Sequence, residues 1–359
     1  MSATGTREAA GGAPPAGPVL CLETSCDDTS AAVVRGREVL SSIVSSQNEL
    51  HAQFGGVVPE VASRRHTELV NEVVAEALAV AGVAWDDLAA VATTQGPGLI
   101  GALLVGLAAA KAIAYRRQLP LIPVNHIQGH IAANYALGVE APFVCLVASG
   151  GHTLLAVVEE GVAYRVAART MDDAAGEAFD KGARLLGLGY PGGKELDLLA
   201  AQGDARYVRF PRAVPRGHDF SFSGLKTALL YDVRGRDEAQ VEAHRADIAA
   251  SYQAAIVRQL VEKTMAGVAA EGLRSVAVAG GVAANSGLRR ALMEACEAEG
   301  LQLSLPPLSL CTDNAGMIGL AAGFLPALPW PEYLGLDAFA SDAEAKAARP
   351  PRKRAARGS

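Results

Sequence analysis

Short apolar runs alternate with polar turns along the first part of the chain, and longer stretches carry apolar residues at helical spacing. Residues 18–22 and 31–34 read as buried strands around the polar turn Glu23-Thr-Ser-Cys-Asp-Asp-Thr29, and 38–44 as a third strand. Leu69, Val70, Val73, Val74, Ala77 and Leu78 share one face of a helix predicted over 66–81, with Gly82 placed to end it in a left-handed cap. A strand over 88–93 leads into Thr94-Gln-Gly-Pro-Gly-Leu-Ile-Gly101, a glycine turn that opens an Ala-rich helix ending before Pro120. A short strand over 121–124 then precedes a helix that bears His126 and His130.

The same order returns in the second half. Strand 143–148, the polar turn Ser149-Gly-Gly-His-Thr153, strand 154–158 and a third strand near 164–167 echo the opening. Helices are predicted over 173–186, 195–201 and 246–270, followed by strand 275–279, the turn Gly280-Gly281, helix 284–298, strand 302–305 and a last helix after Cys311-Thr-Asp-Asn314. Strand, small polar turn, strand occurring twice implies duplicated halves that face a shared cleft. Two β-rich α/β lobes with glycine turns at the cleft resemble the architecture shared by actin, the heat-shock chaperone ATPases and the sugar kinases, and that α/β two-lobe fold is expected here. Residues 18–131 with 313–336 are assigned to the first lobe and 132–312 to the second. A leader over 1–17 and a basic tail over 337–359 are expected to be disordered.

Composition sharpens this picture. Half of the 359 residues are hydrophobic and 5% are aromatic, so the core must be built mostly from Ala, Val and Leu. Apolar stretches break before the ~18 residues that would suggest a membrane span. The leader has one basic residue, Arg7, and no apolar run, which argues against a signal peptide. Five cysteines without a CxxC pair fit a reducing compartment, so a cytoplasmic location is expected. A formal net charge of -6 would repel nucleic acid except at a local basic patch. Lys346, Arg349, Arg352, Lys353, Arg354 and Arg357 form one such run, read first as a solvated tail and second as a nucleic-acid contact.

Candidate chemistry begins with His126 and His130, which at i and i+4 on a helix point the same way and can share one ion. A structural role for the pair stands beside that reading. Asp313, at a predicted helix start, is the best third ligand, and such a nitrogen and carboxylate set suits Fe(II), Zn(II) or Mn(II). The spacing resembles the HExxH peptidase motif, but Ile127 stands where that motif needs its glutamate. Ser149, Gly150 and Gly151 offer unhindered backbone N–H groups of the kind that hold phosphate, with an ordinary hairpin turn as the plainer reading. Gly192-Gly193 and Gly280-Gly281 repeat the theme, and Asp180, Asp197 and Asn285 have the side chains to recognise ribose hydroxyls and a base. Glu23, Asp27 and Asp28 occupy the first turn, as metal or nucleophile handlers or as turn caps. The stretch from Asp219 to Lys226 reads either as a ligand-facing loop or as a packed hairpin.

These motifs, in this order over roughly 19–334, closely resemble one family: the catalytic subunits that form threonylcarbamoyladenosine in tRNA, once described as O-sialoglycoprotein endopeptidases. They include Glu23-Thr-Ser-Cys-Asp27, Gly55-Gly-Val-Val-Pro-Glu60, Gln95-Gly-Pro-Gly98, the histidine pair, Ser149-Gly-Gly-His-Thr153, Asp172 to Lys181, Tyr190-Pro-Gly-Gly193, Ala279-Gly-Gly-Val282 with Asn285, and Cys311-Thr-Asp-Asn314. The resemblance implies that His126, His130 and Asp313 bind a metal, with one Fe(II) per chain expected and Zn(II) or Mn(II) as alternatives. It implies that Val147, Ala148, Ser149, Gly150, Gly151, Asp180, Gly193, Asp197 and Asn285 hold threonylcarbamoyl-AMP, and that Asp27 and Asp28 are needed for catalysis. The implied acceptor is tRNA, and the implied partners are an inactive paralogue of the same fold and a small P-loop ATPase. Asn125, Asp28, Lys194 and the order Ala315-Gly316 depart from the family pattern without removing an implied ligand. Val147 stands where the archaeal and eukaryotic branch has a tyrosine, which places the chain with the bacterial branch.

Overall fold

The computed structural model describes residues 16–212 and 219–341. In chain order its elements are β1 (Val19–Glu23), β2 (Asp28–Arg35), β3 (Glu38–Ser46), α1 (Asn48–Ala52), α2 (Pro59–Ala81), β4 (Ala90–Gly96), α3 (Ile100–Arg117), β5 (Leu121–Asn125) and α4 (His126–Ala132). The second half contains β6 (Phe143–Ala148), β7 (Thr153–Glu160), β8 (Ala163–Arg169), α5 (Ala175–Leu185), α6 (Gly193–Ala200), α7 (Ser223–Arg234), α8 (Glu238–Ala243) and α9 (Arg245–Glu271). It closes with β9 (Ser275–Ala279), α10 (Ser286–Ala298), β10 (Gln302–Ser304) and α11 (Ala315–Ala322).

The duplication is explicit in the sheets. One has strand order β3-β2-β1-β4-β5 and the other, written the same way round, β8-β7-β6-β9-β10. In both, the first strand pairs antiparallel with its hairpin neighbour and parallel with the strand that follows the first helical crossover. The helix after the fifth strand is α4 in one half and α11 in the other, so these two are equivalent elements.

Both faces of each sheet are covered, which is why the central strands are continuous apolar runs. Leu20 and Leu22 pack outward with Val70, Val73, Val74 and Ala110 of α2 and α3. Val19 and Cys21 face inward, into a core shared with Phe143, Cys145 and Val147 of the second sheet and filled by residues of α4 and α11. The outer face of the second sheet packs on α5, α7, α9 and α10. The two equivalent helices therefore lie against each other at the seam between the sheets. Gly129 makes this contact possible, since a Cβ there would come 2.8 Å from Ile318 Cδ1 of α11.

Three expectations change. Helix α2 starts at Pro59, seven residues before the periodic stretch, because proline suits the first helical position. The stretch from Asp219 to Lys226 is no hairpin, since α7 begins at Ser223 and Asp172, fifty residues away, caps its start by accepting from Ser221 Oγ, Phe222 N and Ser223 Oγ at 2.6–2.8 Å. Residues 337–341, expected in the tail, are placed against the first lobe. Phe339 N donates to Gln95 O at 3.2 Å, Gln95 Nε2 to Asp337 O at 2.7 Å, and Gly98 N to Ala340 O at 3.3 Å, so 337–341 run as a strap on the Gln95-Gly-Pro-Gly98 turn. The leader through 15 and the tail from 342 lie outside the described residues. Among the described residues no helix is long and apolar enough to cross a membrane.

Candidate metal and ligand site

Helix α4 projects His126 and His130 from one face, and its N-terminus is capped by Asn125, whose Oδ1 accepts from Ile127 N at 2.8 Å. The equivalent cap on α11 is Asn314, which accepts from Met317 N at 2.9 Å and fixes Asp313 immediately before the helix. The duplicated fold thus carries Asp313 to the two histidines. Its Oδ1 lies 3.2 Å from His130 Nε2 and 3.6 Å from His126 Nε2. Ligands about 2.0–2.2 Å from a tetrahedral or octahedral ion stand about 3.0–3.6 Å apart, and these separations match.

Two further observations test the fit. His130 is fully buried and its ring nitrogens have no well-formed hydrogen bond, Asp313 Oδ1 lying 3.2 Å from Nε2. An orphaned buried imidazole is costly unless its lone pair is used. The side of His126 away from Asp313 is held by Glu23, whose Oε2 is 3.2 Å from Nδ1, with Ser25 Oγ also at 3.2 Å. Such a carboxylate fixes the tautomer with Nδ1–H donating and Nε2 free to ligate. Glu23 is itself buried and anchored by Ser25 N and Thr94 Oγ1. Its position in the first polar turn was visible in the sequence, but its partner was not.

The electrostatics follow from two buried carboxylates facing two imidazoles. Burial works to lower the His126 pKa, but the charges of Asp313 and Glu23 outweigh it and raise it to about 9. Burial raises the Asp313 carboxyl, and His126 and His130 more than reverse this, holding it well below the usual carboxylate range. His130 is lowered, mainly by burial. A cluster that retains two carboxylates and lacks a Lys or Arg partner has a charge suited to a divalent cation. The residues present fit the expected metal.

Asp27 and Asp28 flank this cluster without touching the trio. Burial, with the Asp313 charge second, raises the Asp28 carboxyl to about 7, and its Oδ1 has no hydrogen-bond partner. Buried His66 pins the turn that carries both, through Thr29 Oγ1 at 2.8 Å and Cys26 O at 3.0 Å. Asp27 faces the second lobe, where its charge acts on Asp180 and Tyr190, both raised chiefly by burial. Arg184 closes that side by donating to Gly55 O of the first lobe.

The expected ligand residues gather around the ends of β6 and β9. Val147 and Ala148, expected to touch the ligand, are fully buried at the end of β6 and paired with Leu154 and Thr153 of β7. Gly150 and Gly151 are exposed, with open space where a Cβ would stand. Gly280, at φ +89°, brings β9 so close that a Cβ would lie 2.3 Å from Ala148 O. Three helix N-termini converge here. Gly176 of α5 donates to Ser149 O at 3.1 Å, Asp180 Oδ1 accepts from Gly192 N and Gly193 N at 2.9 and 3.1 Å at the start of α6, and Asp197 Oδ2 accepts from Ser286 N at 2.9 Å at the start of α10.

Asp180, Asp197 and Asn285 are thus also capping residues. Gln253 of α9 ties the last two together, donating to Asp197 Oδ1 at 2.9 Å and accepting from Asn285 Nδ2 at 2.8 Å. Nothing in the apolar spacing of α9 marked Gln253, since a buried amide looks like any polar residue of a helix. His152 was quoted only as part of a glycine turn, yet its ring centroid lies 6.2 Å from that of His126, so this turn joins the ligand loop to the metal cluster.

Comparison with known proteins agrees with this layout. Residues 38–320 match the profile of the tRNA N6-adenosine threonylcarbamoyltransferase family. A relative of that name from Geobacter sp. is 53% identical over 324 residues, 89% of this chain and 92% of its own. Another from Clostridium perfringens is 52% identical over 311 residues, 85% of this chain and 92% of its own. Among solved structures HypF from T. kodakarensis superposes with a TM-score of 0.59 at 16% identity, covering 87% of this chain and 48% of that one, and component A of (R)-2-hydroxyglutaryl-CoA dehydratase from Acidaminococcus fermentans with 0.51 at 17%, covering 86% and 97%. Those two show the shared actin-like two-lobe fold. The extent and identity of the sequence matches carry the stronger conclusion: the chain belongs to the tRNA N6-adenosine threonylcarbamoyltransferase family.

Proposed function

We propose that the chain transfers the threonylcarbamoyl group from threonylcarbamoyl-AMP to N6 of the adenosine just 3′ of the anticodon, in tRNAs that read codons beginning with A. The N6 amine attacks the carbamoyl carbonyl, the C–O bond to phosphate breaks, AMP leaves, and the N6 proton passes to solvent. The observation that carries this reading is the placement of a ligand-competent trio at the lobe seam, joined through His152 to an open glycine loop with three helix N-termini around it. A divalent cation held by His126, His130 and Asp313, most simply Fe(II) with Zn(II) or Mn(II) as alternatives, supplies Lewis acidity at the mixed-anhydride carbonyl.

The chain's own groups do the positioning. Backbone N–H groups of Gly150 and Gly151, backed by the positive ends of α5, α6 and α10, suit the AMP phosphate, while the Ser149 N–H is spent within the turn on His152 O at 2.8 Å. Asp180 and Asp197 retain carboxylate lone pairs, and Asn285 retains one amide N–H, for ribose and base, since their capping bonds use only part of their capacity. Asp27 contributes its charge from the first lobe toward Asp180 and Tyr190, and Asp28 supplies a buried carboxyl beside the cluster. Ile127 is buried in the core, so no carboxylate stands where a peptidase needs one.

Turnover requires the inactive paralogue and the small P-loop ATPase, and the setting is cytoplasmic. The test is to incubate the protein, together with those two partners, with threonylcarbamoyl-AMP and unmodified tRNA and to analyse nucleosides by mass spectrometry. Threonylcarbamoyladenosine confined to tRNAs for codons beginning with A supports the reading. ATP hydrolysis without tRNA and without that product would instead make the chain a nucleotide hydrolase of the same fold.

A further inference from the structure

A polyanionic acceptor must be held by a chain whose formal charge is -6, so attraction has to come from a local surface. Among the described residues a cavity of about 650 Å³ is lined by Arg209, Phe210, Pro211, Arg212 and Arg258. Arg212 pairs with Glu262 at 3.1 Å, while Arg209 and Arg258 have no carboxylate within ion-pair distance among the described residues. Phe210 is buried against Tyr252, with ring centroids 5.6 Å apart, and anchors the segment that presents the two flanking arginines. Three guanidinium groups against one carboxylate leave a net positive pocket on a negative protein.

The pocket also shares a framework with the proposed ligand site. Arg258 lies five residues beyond Gln253 on α9, about 7.5 Å along the axis. Residues 219–223 are held to the rim of the cleft. Arg169 N donates to Asp219 Oδ1 at 2.9 Å, Met171 N to Phe220 O at 2.9 Å, and Gln259 Oε1, beside Arg258, accepts from Ser221 N at 2.9 Å. The rim continues through Asp172 and Asp173 into α5, whose Ala175 and Gly176 N–H groups hold Thr153 and the Ser149 backbone.

We infer that the Arg209, Arg212 and Arg258 pocket binds backbone phosphates of the acceptor tRNA, to one side of the reacting adenosine. The inference rests on the proposed function for the identity of the polyanion. Guanidinium groups present paired donors to phosphate oxygens, which makes arginine well suited to such a contact.

The test uses the full-length protein and fluorescently labelled unmodified tRNA, titrated by anisotropy across a range of salt concentrations. The variant carries Arg209→Gln with Arg258→Gln. A control removes the same charge from the other lobe, with Arg64→Gln and Arg65→Gln on α2. Circular dichroism and threonylcarbamoyl-AMP binding, both expected unchanged, show that each variant is folded. The pocket variant should bind tRNA about ten-fold more weakly at ~0.1 M salt, with a log–log salt slope shallower by about 1.4, and the control should match the unmutated protein. Unchanged affinity and slope in the pocket variant, or an equal loss in the control, would overturn the inference. If the unmutated protein modifies tRNA while the pocket variant binds it normally, the function stands and the pocket falls. If binding depends on the two arginines but no threonylcarbamoyladenosine forms, the pocket stands and the proposed function falls.

Discussion

Glu23 and Asp28 sit five residues apart in one turn and their carboxyls are driven in opposite directions. Glu23 is held ionised because the His126 charge and hydrogen bond more than offset its burial. Replacing it with Gln keeps the shape but removes the charge that strengthens the hydrogen bond to His126 Nδ1, and metal affinity measured by competition with a chelator should fall about 10–100-fold. Asp28 has no such partner and is raised to about 7. The folded state therefore binds its proton more tightly than the unfolded chain, and the stability tied to this group is present below about pH 4 and lost as pH rises through 7. Three pKa units correspond to about 4 kcal/mol at most. In chelated protein, Asp28→Asn should be more stable than the unmutated chain at pH 8 by urea titration, with the difference vanishing near pH 4; a difference constant with pH would contradict this. The clustering of His126, His130 and Asp313 was legible from spacing and resemblance, and so was the gathering of the glycine turns near Asp180, Asp197 and Asn285. The capping duties of Asp180, Asp197 and Asn285 were not, because each depends on a helix start brought from elsewhere in the chain.

Helix boundaries and strand runs were readable wherever burial is local. The β1, β4, β5, β6 and β9 runs and the long α9 follow from period and apolar content alone. Helices α1 and α8, of five and six residues, are too short to show a period, and two further features escaped for another physical reason. Helix α7 is capped in trans by Asp172, and the strap over 337–341 is held by main-chain bonds to Gln95 and Gly98 that leave no periodic signature. The pairing of α4 with α11 is the element-level feature on which the site depends, and Gly129 permits it. Gly129→Ala should displace the buried Ile318 side chain of α11, cost about 1–3 kcal/mol in denaturant titration and weaken metal binding together with stability. Normal metal affinity in that variant would show that the close contact does not set the trio's geometry.

At the level of the whole molecule, a repeated sheet order makes α4 and α11 equivalent, and equivalence brings ligands separated by 183 to 187 residues to one point at the lobe seam. An ion held there would tie α4 to the start of α11 and bind only the folded chain. Fe(II) or Zn(II) at about 100 times its dissociation constant should add about 2.7 kcal/mol of stability, read as a rise in melting temperature that His130→Ala removes. Central to the account is that this cation centre, facing an adenylate, carries the transfer to tRNA. The most direct measurement is single-turnover formation of threonylcarbamoyladenosine from threonylcarbamoyl-AMP and unmodified tRNA, by nucleoside mass spectrometry, in the unmutated chain and in the double variant His126→Ala, His130→Ala. The account predicts product with the first and loss of both bound metal and product with the second; undiminished product in a metal-free double variant would contradict it.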